Sequence, residues 1–231
     1  MIKTFIHESQ IKTFDLPRVE IEGERFYTTP SGLNVPSVTT ILSRHSSKAL
    51  DRWEQRIGLD AANIIRSIAK RRGTIIHDML ETYTRNERID TSRFLPNHVD
   101  TYVKFRKALN EHVDNILGIE QRLYDDTSLF TAGTTDLIAE FDGVLSIIDY
   151  KTSIKEKKEI YLENYFIQSA CYALMCNALH ETNIQQIVIL IAPDTNTQCL
   201  IYKHPVSDWT KKVQKYFNKD NLIDGRCGKQ S

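Results

Sequence analysis

The chain of 231 residues has no apolar run near the ~18 residues that a membrane-spanning helix needs. Its opening stretch, MIKTFIHESQIKTFDLPRVE, holds no apolar h-region and carries Glu8, Asp15 and Glu20. It reads neither as a secretory signal nor as an Arg-rich transit peptide. Cysteine is scarce: of Cys171, Cys176, Cys199 and Cys227, no two have CxxC spacing, and no histidine cluster accompanies them. That argues against a zinc site and against a Cys-ligated iron–sulfur cluster. Neither GxGxxG nor a Walker A motif occurs, so no nucleotide cofactor is indicated. Net charge is zero, 30 Lys/Arg against 30 Asp/Glu, which excludes a wholesale basic coat. The expectation is a soluble cytoplasmic protein that is not secreted and meets no membrane.

What is present is ordinary globular composition, 41% hydrophobic and 26% charged, at a length that suits one α/β domain. Charge is segregated. Residues 44–72 carry eight Lys/Arg against three acids, and residues 203–231 seven against three. Such segregation permits a basic track beside an acidic pocket. Residues 24–36 read as a hairpin around Pro30-Ser31-Gly32. PSVTTIL opens a helix with Ser37 as N-cap, and Cys171 and Cys176 fall in an apolar helical stretch as small buried thiols. Helical patterns follow at about 48–58, 61–86 and 93–116. IEQRLYDD, FTAGTTDLIAEF and VLSIIDYKT read as strands, then come a helix over about 161–180, the strands IQQIVILIAP and TQCLIYKHP, and a helix over 207–219. This order predicts a central mixed β-sheet flanked by α-helices, not an alternating dinucleotide-binding unit.

The chemistry concentrates in one hairpin. Asp142-Gly143 between two strand-like runs signals a two-residue turn. That turn sets Phe141 opposite Val144 and, stepping outward, Asp136 opposite Asp149. Opposed carboxylates repel unless one is protonated or a cation lies between them, and a hard divalent ion such as Mg2+ suits oxygen ligands. Lys151 lies two residues beyond Asp149 and shares its face, while Tyr150 points the other way. An ammonium there can stabilise charge on a phosphate or orient a water. His77, on the helix RRGTIIHDMLE, is a metal-ligand candidate if its helix packs over the hairpin. Gln168 and Tyr172 are spaced i, i+4 on one helix face. Glu120 opens the preceding strand as a supporting charge near Lys151. Arg44, Lys48, Arg52 and Trp53, with Arg71 and Arg72 just before His77, offer cations and an aromatic for a single strand.

A helical His77, Gly133–Asp136 on a strand, Asp149–Lys151 on the next and Gln168–Tyr172 on the next helix resemble the RecB-type branch of the PD-(D/E)XK nuclease superfamily. PSVTTIL, LDRWEQR, GTIIH and IDYKTS follow the order of the mitochondrial genome maintenance exonuclease family and its phage relatives. The resemblance covers about residues 34–180. It implies a restriction-endonuclease-like core with an N-terminal helical addition, and one nuclease domain over 1–231. Its parts would be an extended segment (1–36), a helical region with His77 (37–116), the catalytic sheet and helix (117–204) and a C-terminal helix and tail (205–231). It implies Mg2+- or Mn2+-dependent phosphodiester hydrolysis, exonucleolytic on single-stranded DNA ends. His77, Asp136, Asp149 and the Tyr150 carbonyl would hold metal. Asp136, Asp149, Lys151 and Gln168 would be catalytic, with Lys151 at the attacking water. Ser37 and Tyr172 would join the cations and Trp53 in binding DNA. The lack of a mitochondrial leader suits a bacterial cell or a phage-infected host, and the lack of a cysteine framework means no iron–sulfur cluster is carried over. The sequence leaves open a structure-specific endonuclease, or an inactive DNA-binding protein, on the same fold.

Overall fold

In a computed structural model of the chain, residues 3–8 and 11–218 are described, with the side chains of 46–51 left aside. The chain begins with a small antiparallel sheet of β1 (Arg18–Ile21), β2 (Glu24–Thr28) and β3 (Asn34–Pro36). β2 and β3 form the expected hairpin. β1 joins them through Glu22 and Gly23, both at positive φ. Ser37 caps α1 (Val38–Ile57), its Oγ accepting from the Thr40 amide at 3.0 Å. Gly58, at φ 86° and ψ 150°, separates α1 from α2 (Leu59–Thr84) in a conformation open essentially to glycine alone. α3 (Pro96–His112) carries its proline in the first turn, where no amide is needed.

The predicted helix over 93–116 ends early. Val113 already pairs across the main sheet with Phe141, and β4 runs from Val113 to Asp125. A short apolar run such as NILGI fits either element, and partner strands decide it. Then come β5 (Thr131–Phe141), β6 (Val144–Ser153), α4 (Glu163–His180), β7 (Gln186–Pro193), β8 (Leu200–Pro205) and α5 (Ser207–Tyr216). The C-terminal tail beyond residue 218, with Cys227, lies outside the described residues.

The five strands lie in sequence order, β4-β5-β6-β7-β8, and only β6 and β7 are parallel. A parallel pair needs a long crossover, and α4 supplies it. Asp142 and Gly143 sit at φ 52° and 75°, as a type I′ turn requires. The predicted register therefore holds from Phe141↔Val144 to Leu137↔Ile148. The isoleucines of β6 point to opposite faces. Ile147 joins a core with residues of α1, α4 and α5, and Ile148 a core with residues of α2 and α3. β6 is thus covered on both faces, which is why it reads as an apolar run. Its end escapes that cover, and there the chemistry begins.

Candidate active site

Asp136 interrupts the pairing on both sides of β5. On one side the β5–β6 ladder stops at Leu137↔Ile148, one step before Asp136 and Asp149 would pair. Instead the Tyr150 amide donates to Asp136 Oδ2 at 2.8 Å. On the other side, Ile119↔Leu137 and Gln121↔Thr135 pair, so the register sets Glu120 across from Asp136, yet that pair is skipped. Glu120 takes the left-handed φ of 48°, strain of about 1–3 kcal/mol that clusters at functional sites. Three carboxylates from three adjacent strands thus form one row, Glu120–Asp136–Asp149. Glu120 meets His77 and Asp136: ligand atoms of His77, Glu120 and Asp136 lie within 4.8 Å of one another.

His77 holds the row from above. Its Nδ1 is 3.3 Å from Asp136 Oδ1 and its Nε2 is 3.2 Å from the Tyr150 carbonyl. The Tyr150 ring, buried on the face opposite Lys151, meets His77 edge-on at 5.9 Å. Burial opposes charge on His77, but the facing charge and hydrogen bond of Asp136 outweigh it and raise its pKa to about 9. Against the cost of burial, the same partner holds the Asp136 carboxyl below its ordinary value. Glu120 is pushed up to about 7, by burial and then by Asp136. Asp149 rises to about 6, chiefly by burial, while Lys151 pulls it down and Asp136 pushes it up. One neighbour therefore ionises at the others' expense, as crowded carboxylates must.

Asp149 is 2% exposed, and its Oδ2 forms an ion pair with Lys151 Nζ at 2.5 Å. The attraction of Asp149 and Asp136 exceeds the penalty of burial, so the Lys151 pKa is raised and the ammonium persists. Asp149 stands beside the His77–Glu120–Asp136 group rather than within it. The donors fit a hard divalent ion. A six-coordinate Mg2+ with bonds of ~2.1 Å spans ~4.2 Å between opposite ligands, so a group within 4.8 Å needs only a small closure. The Glu120 and Asp136 carboxylates suit Mn2+ as well as Mg2+.

From α4, Gln168 Nε2 donates to the Tyr172 hydroxyl at 3.4 Å. Tyr172 is 3% exposed, so it props Gln168 and presents no surface to a strand. A Cβ on Gly133 would come within 2.8 Å of the Tyr172 ring, so the Gly-x-x-Asp and Gln-x-x-x-Tyr segments interlock. Ser37 is likewise buried and committed to its cap, with no face for DNA.

The basic residues divide. Arg72 grips both oxygens of Asp194 and donates to Thr101 at 2.9 Å, which ties α2 to α3 and to the end of β7. Arg44 grips both oxygens of Glu24. Trp53 is half-buried with the Arg66 guanidinium 5.4 Å from its ring centroid. Arg52 and Arg71 are exposed, and the Lys48 side chain lies outside the described residues.

The family model of the PD-(D/E)XK nuclease superfamily matches residues 51–222. The chain is 28% identical over 160 residues to the human mitochondrial genome maintenance exonuclease 1, a match covering 64% of this chain and 45% of that relative. The chain therefore spans under half the length of that curated relative. With the mixed sheet, the flanking helices and most of the length matched, the chain belongs to the PD-(D/E)XK nuclease superfamily.

Proposed function

We propose that this protein is a Mg2+- or Mn2+-dependent deoxyribonuclease that degrades single-stranded DNA from its ends. The observation that carries the reading is the row Glu120–Asp136–Asp149 under His77, with Lys151 at its open end. Three acids so placed lower stability unless positive charge meets them. His77, Glu120 and Asp136 would hold a divalent cation, with Asp149 alongside. When bound, the cation polarises the phosphodiester and lowers the pKa of a bound water.

The chain's own groups supply the rest. Lys151 carries its ammonium to the edge of the row, where it orients the attacking water and offsets charge developing on the phosphate. Gln168 offers an amide to the water or to a phosphate oxygen, and Tyr172 fixes its direction. Arg52 and Arg71 are exposed cations for the backbone, and Trp53 offers a ring for a base. The exonuclease relative favours cutting from an end.

The test follows an end-labelled single strand and its circular counterpart with Mg2+, with Mn2+ and with EDTA. Progressive shortening of the linear strand that stops in EDTA is expected. Cutting of the circle would overturn the exonucleolytic mode, and cleavage in EDTA would overturn the metal dependence.

A further inference from the structure

Tyr165 lies in the first turn of α4, three residues before Gln168 and seven before Tyr172, so the three share one helix face. Tyr172 is the buried end of that stripe and Tyr165 the half-buried end at the mouth of the site. The Lys151 ammonium is 5.1 Å from the Tyr165 ring centroid. A second cation, Lys157, lies 5.7 Å from the same centroid and donates to the Tyr165 hydroxyl at 3.4 Å. Packing against the core of α4 and the sheet fixes the ring.

We infer that Tyr165 is a positioning residue for Lys151, holding the ammonium over the open end of the carboxylate row by its ring face. The reason lies in the other partner. Lys151 is otherwise held by Asp149, whose carboxylate stands beside the cation ligands. As Asp149 is drawn toward a cation, its pull on Lys151 weakens. A ring attracts an ammonium through its quadrupole yet offers a divalent ion no carboxylate. Tyr165 therefore keeps Lys151 in place without competing for metal. The hydroxyl serves Lys157, not Lys151, so the ring alone carries the effect.

This inference rests on the role given to Lys151 above, and steady-state cleavage of an end-labelled single strand with Mg2+ tests the two separately. Tyr165→Leu is expected to lose kcat about 10-fold with KM within about twofold, as the loss of one partly desolvated ring–cation contact implies. Tyr165→Phe keeps the ring and is expected to hold kcat within about twofold. Should Tyr165→Leu fail to fold by thermal melting, Tyr165→Gln, long but ringless, is compared in its place. Wild-type kcat in the ringless variant, or an equal loss in Tyr165→Phe, would overturn the role of Tyr165. Full activity in Lys151→Ala would instead overturn the reading of Lys151 itself.

Discussion

Consider Gly133→Ala, a single methyl added on β5, one strand in from the edge of the main sheet. The new Cβ would sit 2.8 Å from Tyr172 Cε1, 2.9 Å from its hydroxyl oxygen and 3.2 Å from Cζ. Carbon atoms prefer about 3.5–4.0 Å, so the ring must retreat by about 0.7 Å or more. It has nowhere easy to go, since Tyr172 is 3% exposed and packed among Ile167, Ala170, Cys171 and their neighbours. Overpacking of this kind costs about 1–3 kcal/mol. A cost of about 2 kcal/mol would lower Tm by about 4–8 °C in a protein this size. The retreat also carries the hydroxyl that fixes Gln168, so cleavage should fall along with stability. Urea titration at constant m gives the stability, and cleavage of a labelled strand gives the activity. Tyr172→Leu added to Gly133→Ala removes every clashing atom and should restore much of the stability but not the activity. If Gly133→Ala alone melts as the wild type does, the interlock has been misread.

Lys151→Ala should lose about 100-fold or more of Mg2+-dependent cleavage while still retaining a gel-shifted strand, and unimpaired cleavage would sink the site. Glu120→Gln should move two thermal melts in opposite directions. Because the folded pKa of Glu120 is raised to about 7, its ionisation destabilises the fold increasingly as pH rises from the unfolded value through 7. At pH 8 without metal the variant should therefore melt higher, while its gain in Tm on adding Mn2+ should shrink. Asp194 behaves in the opposite sense. The Arg72 hydrogen bonds hold its carboxyl below 3.8 against partial burial, so the pair's contribution is full above about pH 4 and fades as pH falls through the lowered value. Asp194→Asn should narrow the difference between urea midpoints at pH 7 and pH 3, and an unchanged difference would refute the clamp.

The hairpin was legible because its turn leaves no freedom. Two residues at positive φ permit one register, and that register brings Asp136 and Asp149 side by side. β4 and β5 are joined by residues 126–130, and bulges shift their register near Gly118. No short turn announces that pairing, so Glu120 showed as a strand-opening acid assigned to Lys151, with its place across from Asp136 hidden. The cations were legible as a run but not in their fates. Arg72 meets Asp194 and Arg44 meets Glu24 across sequence gaps that no local pattern spans. Tyr172 was legible as the partner of Gln168, since i, i+4 spacing fixes that. Its burial depends on the bare backbone of Gly133, a contact visible only in three dimensions.

The skipped pairs around Asp136 bear on how the chain reaches this structure. Glu120, Asp136 and Asp149 come from three consecutive strands, joined by residues 126–130 and by the Asp142-Gly143 turn, so little chain entropy opposes their meeting. His77, the group that answers their charge, comes from a helix far earlier in the chain, and α4 must still cross over before β7 can join. Local strand pairing of this kind closes more readily than long-range docking. The acids would then gather before the imidazole arrives, and a divalent ion present during refolding would ease the step that α2 otherwise has to complete by itself.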